Sequence, residues 1–311
     1  MNKKDKARVL PGSIVIPGGR VGVLLIHSLG GTPVELRVVA QALARQGYTV
    51  MCPLLPGLGN GTDLSGLSAW TDWYEAVQDH HDTLLETCDT VLVGGLSAGA
   101  MLALKLAADR PQGVQGLMLF APTIFPNGWA IPKTLQLFKL VHDRWVARMF
   151  YFRQRQPYGI KDERIRNFML DSFKGDGRSL DDLIGRRGNI VLEFRRLVAR
   201  VKKQLGTITQ QTIIFHPRHD DQSDLRNTML LQRKLGGLVE TAVLDDSYHM
   251  VTLDRQRVYV TDRTVDFAQR IVGRLAEVAQ MEKIKAQAKL APVETGLAPA
   301  AKPKLKGVTA A

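Results

Sequence analysis

The chain has 311 residues, 45% hydrophobic and 23% charged, and its 42 Lys and Arg against 30 Asp and Glu give a formal charge of +12. Such a length buries the core of one large α/β domain and leaves residues for an insertion and tails. No apolar run approaches the length of a bilayer span, the start Met1-Asn2-Lys3-Lys4-Asp5-Lys6 lacks the apolar stretch of a secretory signal, and no nucleic-acid motif accompanies the positive charge, so a cytoplasmic enzyme or binding protein without a nucleic-acid partner is expected.

β-prone segments recur at 13–16, 22–27, 49–53, 90–94, 115–120, 211–216 and 238–244, most of them separated by amphipathic helical stretches. Alternation of this kind predicts an α/β fold with a doubly wound, mostly parallel sheet. After the strand at 22–27, Ser28-Leu29-Gly30-Gly31 forms a turn into a helix marked by Thr32 as N-cap, Pro33 at its first position, Glu35 three residues after the cap, and Gly47 beyond its end. A second helix is expected over 68–86, which places His80 and His81 on a surface helix. Cys52 and Cys88 show no metal-type spacing and read as reduced structural thiols.

The run Thr90-Val91-Leu92-Val93 leads into Gly95-Leu96-Ser97-Ala98-Gly99 and then into a small-residue helical stretch over 99–108. This is the strand–turn–helix context of a nucleophile elbow, in which the serine sits in a strained backbone conformation that only near-absent side chains two residues before and after it tolerate. Gly95 and Gly99 meet that need, and Ser97 becomes the candidate nucleophile.

Between 123 and 206 the strand pattern gives way to helical periodicity, and this stretch carries roughly +10 of the net charge. It reads as a helical, basic cap inserted between two parts of the core, 9–122 and 207–281, with a basic tail at 1–8. The cationic surface is either a solvated helical face or an attraction to an anionic membrane or acidic substrate. Its apolar residues include Trp129 and Phe138, which either pack the cap or line an acyl channel over Ser97. A last helix over 256–281 gives way to an Ala, Lys and Pro tail, 282–311, that is expected to be disordered.

A serine hydroxyl needs a base, and the base needs an orienting group. The strand at 211–216 opens into His216-Pro217-Arg218-His219-Asp220-Asp221, and the next strand opens into Asp245-Asp246-Ser247-Tyr248-His249. The order Ser, acid, His at strand ends makes His249 the candidate base and Asp220 its acid, with Asp221 a competitor and Asp224 a weaker one. His216, His219, Asp220 and Asp221 also allow a metal reading, which leaves the elbow serine without a purpose; no metal or cofactor is assigned. For the oxyanion, the backbone N–H of Ala98 is one donor, and that of Leu29, also a candidate substrate contact, is the other.

The stretches Leu24-Leu25-Ile26-His27-Ser28-Leu29-Gly30-Gly31-Thr32, the elbow, Arg218-His219-Asp220-Asp221 and Ser247-Tyr248-His249-Met250-Val251-Thr252-Leu253-Asp254 resemble the bacterial carboxylesterase and monoacylglycerol-lipase branch of the α/β-hydrolase superfamily. The resemblance implies that the acid is the Asp after Arg-His, here Asp220, and the base the His before an apolar-Thr-Leu-Asp run, here His249. It implies a serine hydrolase cleaving small-molecule or lipid acyl esters through an acyl-Ser97 intermediate. The chain departs from the branch at Ser28, usually Gly, and at Ala98, usually Met or Leu, which frees space beside the nucleophile. Thioesterase, amidase or peptidase chemistry on the same triad is the alternative, and a non-catalytic binding protein with a basic cap is a second one; oligomeric state is not legible.

Overall fold

The computed structural model describes residues 9–59, 68–175 and 185–290. Among them the strands in chain order are β1 (Ile14–Ile16), β2 (Val21–Ile26), β3 (Thr49–Cys52), β4 (Thr90–Leu96), β5 (Gly116–Phe120), β6 (Tyr151–Arg153), β7 (Gly185–Arg187), β8 (Gln211–Pro217) and β9 (Val239–Leu244). The helices are α1 (Arg37–Arg45), α2 (Trp70–Leu85), α3 (Ala98–Asp109), α4 (Arg144–Arg148), α5 (Glu163–Gly175), α6 (Gly188–Gln204), α7 (Arg226–Lys234) and α8 (Arg257–Leu290). The seven expected strands form one sheet in the order β1-β3-β2-β4-β5-β8-β9, all parallel except β1, which runs antiparallel to β3.

Both faces of the sheet are buried, so its inner strands read as continuous apolar runs and not as alternating ones. Successive side chains still point to opposite faces. Leu24, Ile26, Val91, Val93, Leu117 and Leu119 enter one core cluster, while their neighbours Val23, Leu25, Leu92, Met118 and Phe120 enter the other. The sheet thereby supplies two cores from single strands, and each fully buried Leu or Ile contributes about 1.5–3 kcal/mol of transfer free energy. Parallel pairing brings the carboxyl ends of β2, β4, β5, β8 and β9 to one edge, where their loops converge.

Several expectations need correction. The chain enters its first helix through a 3-10 turn, Pro33–Leu36, and Thr32 makes no side-chain cap. Glu35 instead turns back to Ser28. His80 and His81 lie on α2 but are buried, and His81 Nε2 meets the Gly113 carbonyl at 2.8 Å, because this helix packs its histidine edge against the turn after α3. The inserted segment is not purely helical: β6 and β7 pair as a separate antiparallel ribbon. Its last helix, α6, buries Phe194, Leu197, Val198 and Val201 in the same cluster as Leu102 and Leu106 of α3, so it covers the sheet and is not confined to the cap. Helical structure also continues to Leu290, through 282–290, where the tail was expected to be disordered; Glu, Lys, Ala, Gln and Ile there are mostly strong helix formers. The basic tail at 1–8 and the rest of the C-terminal tail, 291–311, lie outside the described residues. The compact unit ends at Val272, and a second begins at Gly273.

If α6 is part of the core layer, Leu197→Ala, at a side chain with no exposed surface, lowers global stability by about 2–5 kcal/mol, measured as a shift in the urea midpoint with unchanged slope. A helix serving only the cap would leave the main transition in place.

Candidate active site

Ser97 sits at the tip of the turn between β4 and α3 with φ 55° and ψ −108°, a left-handed conformation that a non-glycine residue rarely adopts. Its N–H donates to the Phe120 carbonyl at 2.9 Å, which ties the turn to the neighbouring strand. A Cβ on Gly95 would overlap the Gly99 carbonyl, and one on Gly99 would overlap the Ile26 carbonyl of β2. The two glycines are therefore required by the close approach of β2, β4 and α3, the physical content of the elbow pattern.

Asp220 lies in the loop after β8 and His249 in the loop after β9; both are buried. His249 Nδ1 is 3.0 Å and 2.9 Å from the two carboxylate oxygens of Asp220. Asp220 Oδ1 also accepts from the N–H groups of Gln222 and Ser223, at 2.7 Å and 3.0 Å. Burial works against the charge on each partner, yet their mutual attraction and hydrogen bond prevail, so the carboxyl is held below its usual range and the imidazole is raised. Asp221 does not face the imidazole: its carboxylate accepts from the N–H of Gly159 at 2.8 Å and from the His249 N–H at 3.3 Å, and burial pushes its carboxyl up. Asp224 accepts from the Arg226 N–H at the start of α7, as a helix cap does.

The residues of the metal reading turn to different partners. His216 Nε2 meets the Ser223 carbonyl at 2.7 Å, Asp220 faces His249, Asp221 holds backbone, and His219 is exposed.

Ser97, Ala98, Leu29 and His249 line one cavity of about 770 Å³. The N–H groups of Ser28, Gly30 and Gly31 are taken by Glu35, the Leu58 carbonyl and the Ser28 carbonyl, whereas the Leu29 N–H has no partner among the described residues. Ala98 opens α3, and its N–H is likewise left over at the positive end of the helix. His27 is buried and its pKa lowered to about 4 by that burial; as a neutral ring it donates from Nδ1 to the Ser28 carbonyl at 2.9 Å and accepts at Nε2 from the Leu55 N–H at 3.1 Å. It braces the loop and is not positioned as a base.

Sequence reasoning missed two hydroxyls. Ser97 Oγ is 3.1 Å from Thr123 Oγ1, which donates to Ser223 Oγ at 3.2 Å, while His249 Nε2 is buried without a hydrogen-bond partner among the described residues. The serine hydroxyl thus rests on the threonine and not on the imidazole. Thr123 and Ser223 meet across 100 positions, and no local pattern marks either of them.

Two expected substrate contacts are also corrected. Trp129 is 59% exposed, donates from Nε1 to the His219 carbonyl, packs edge-on against Tyr248 and does not line the cavity. Phe138 is buried in a small cluster with Ala147 and Leu192, against the rings of Phe150 and Phe152, behind the cavity wall. The apolar lining includes instead Ile131, Leu135, Phe152, Val191 and Phe194 of the inserted segment and Leu29 and Leu253 of the core.

The family described as Serine aminopeptidase, S33, matches residues 20–256. A thermostable monoacylglycerol lipase of Bacillus sp. (strain H-257) is 27% identical over 82% of this chain and 93% of its own length. A carboxylesterase of Bacillus subtilis (strain 168) is 23% identical over 85% of this chain and 98% of its own. Among solved structures, a soluble variant of the monoglyceride lipase of Saccharomyces cerevisiae, bound to a substrate analogue, superposes with a TM-score of 0.69 at 16% identity, over 83% of this chain and 91% of that one.

With Asp220 and Asp221 both close to the imidazole but only one bonded to it, Asp220→Asn is expected to bring the His249 titration, followed by NMR, down from its raised value, and Asp221→Asn to lower it by less. Equal shifts in the two variants would make the pair interchangeable.

Proposed function

Because the chain belongs to the Serine aminopeptidase, S33 family of α/β hydrolases, we propose that it cleaves monoacylglycerols or related carboxylic esters through an acyl-Ser97 intermediate. It is a serine ester hydrolase, and the assignment of roles rests on one observation: a single cavity is lined by Ser97, by His249, which bonds to the buried Asp220, and by Leu29 and Ala98, whose N–H groups have no partner among the described residues.

From Thr123, the Ser97 hydroxyl rotates to His249 Nε2, whose lone pair is available because Asp220 holds the proton on Nδ1. Ser97 Oγ attacks the ester carbonyl as its proton passes to Nε2, and the new oxyanion accepts from the N–H groups of Leu29 and Ala98. His249 then returns the proton to the departing alcohol. A water molecule, deprotonated by the same nitrogen, attacks the acyl-enzyme and releases the acid and Ser97. The raised imidazole pKa supports the proton transfer from serine but leaves the base protonated in mild acid, so turnover rises as pH climbs through a value above about 6.5.

The apolar lining and the cavity volume suit an acyl chain. Aminopeptidase action, the literal sense of the family's description, needs an anion free to hold a substrate ammonium. Glu35 and Asp221, the two acidic residues that line the cavity, already bond to Ser28 and to the backbone of Gly159 and His249, which favours the ester reading. Thioester and amide cleavage on the same residues is the alternative, with no specific observation in its favour.

The finer setting is part of the same proposal. The enzyme works in the reducing cytoplasm, supported by Cys52 and Cys88, which are buried and unbridged. Among the described residues no helix is long and apolar enough to cross a membrane. Leu137, Leu140, Trp145 and Met149 are 69–78% exposed on the inserted segment beside Lys139 and Arg148, a combination that supports peripheral contact with an anionic lipid surface.

Hydrolysis of a p-nitrophenyl ester series from acetate to palmitate tests the activity: Ser97→Ala is expected to lower kcat by at least about 10⁴-fold while leaving the fold intact. Turnover that survives this substitution would overturn the acyl-Ser97 route. For the lipid contact, Trp145→Ala with Met149→Ala is expected to reduce co-sedimentation with phosphatidylglycerol vesicles several-fold at low salt. Equal sedimentation of the variant and the parent would remove that surface from the reading.

A further inference from the structure

Glu35, which begins as a helix-cap candidate, occupies a different place. Its carboxylate is buried and accepts from both the N–H and the Oγ of Ser28, at 3.0 Å and 2.9 Å, and its own carbonyl accepts from Thr252 Oγ1 at 2.6 Å in the segment after His249. On the other side of the same loop, Arg186 of β7 donates from Nε to the Leu29 carbonyl at 3.2 Å. The loop is shaped around both groups: a Cβ on Gly30, which has φ +69°, would overlap the Arg186 guanidinium, and one on Gly31 would overlap the Glu35 carboxylate. The glycine pair is thus a requirement of two charged side chains packed onto the loop and not simply a flexible lead into a helix. Both charges line the cavity and attract one another.

We propose that Glu35 and Arg186 are positioning residues that clamp the loop of Ser28 and Leu29 from two sides and so aim the Leu29 N–H at the oxyanion, with the inserted segment contributing through Arg186. The inference rests on the catalytic reading above. Glu35 holds the residue before Leu29 by two bonds, to the N–H and the hydroxyl of Ser28; Arg186 holds the carbonyl of Leu29 itself. Between the two anchors the Leu29 N–H has no partner among the described residues. Ser28 in place of glycine is then functional, since its hydroxyl is one of the points the carboxylate grips.

Such a clamp acts on the transition state, where the oxyanion exists, and little on substrate binding. In the full-length protein, Glu35→Gln and Arg186→Lys are each expected to lower kcat about tenfold or more with KM within about twofold, since loss of an oxyanion donor outright costs about 10²- to 10³-fold. The double variant falls short of the product of the two effects, because both side chains serve one loop. Glu35→Gln also removes a negative charge near His249, whose charge is favoured too by Asp220, bonded to the ring, and by the nearby Asp221, and the acidic limb of kcat/KM moves to lower pH, a change that loss of packing alone would not produce. Hydrogen exchange over 27–33 reads the clamp without reference to activity and speeds up in both variants. Unchanged exchange, or kcat within twofold of the parent in both variants, overturns the clamp. Faster exchange in the two variants of a parent protein that itself shows no Ser97-dependent turnover would sink the catalytic reading and leave the loop clamp standing as a structural device.

Discussion

A single residue held at positive φ organises the molecule. At φ 55° Ser97 is in a region that costs an L side chain of order 1–3 kcal/mol, and it stays there only because its surroundings over-determine it. Its N–H is held by Phe120, Gly95 and Gly99 touch backbone on either side, and the strands that supply those contacts are central in a sheet buried on both faces. Two cores built on alternate side chains of the same strands hold that sheet rigid. The strain of the turn is the reason the hydroxyl stands clear of the strand and the first turn of α3 points its unbonded N–H at the same space.

Charge buried around that turn follows one logic. Asp220, Asp221 and Glu35 are all taken from solvent, and burial alone would neutralise them. Each is given donors that fit it: Asp220 the imidazole and two amides, Asp221 two amides, Glu35 an amide and a hydroxyl. The division of labour among three acids crowded near one histidine comes from these donors. Only Asp220 spends its acceptors on the ring, so it sets the tautomer, while the other two stabilise loops and add to the field that favours imidazolium. Removal of any one partner strands a buried charge, which makes the network stiffer than its individual bonds.

What was legible in the sequence divides along the range of the interactions. The strand runs, the Gly95-to-Gly99 elbow and the acids and histidine at strand ends are local patterns, and the sheet carries each of them to the converging edge. The role of Glu35 was not legible, because its cap spacing to Thr32 competes with Ser28 and only the fold of the loop decides between them. Thr123 with Ser223, and Arg186 with Leu29, meet across 100 and 157 positions, where no periodicity applies. Trp129 and Phe138 show the limit for apolar residues: side chains of the same type on the same segment face solvent, a satellite core or the cavity, and which one depends on how the ribbon of β6 and β7 sets the segment down.

That ribbon also explains how one site draws on two parts of the chain. The loops at the strand ends of the core supply Ser97, His249, Asp220, Ala98 and Leu29, the residues to which the proposed function gives the chemistry, and the inserted segment supplies most of the apolar lining. The two meet through polar contacts, Gly159 on Asp221 and Arg186 on the Leu29 carbonyl. Apolar contacts alone would let the insert slide over the cavity at little cost, since burial is not directional. Hydrogen bonds to the Asp221 carboxylate, which itself holds the His249 N–H, and to the backbone of the loop that carries Leu29 are directional, so under the proposed function the wall that would touch substrate is held in register with the reacting atoms. Gly159 and Arg186 bond to Asp221 and to the Leu29 carbonyl, whereas Leu135 and Val191 meet the cavity only through apolar side chains, so the surface that would select a substrate and the contacts that hold the reacting loops are separate within a single cavity.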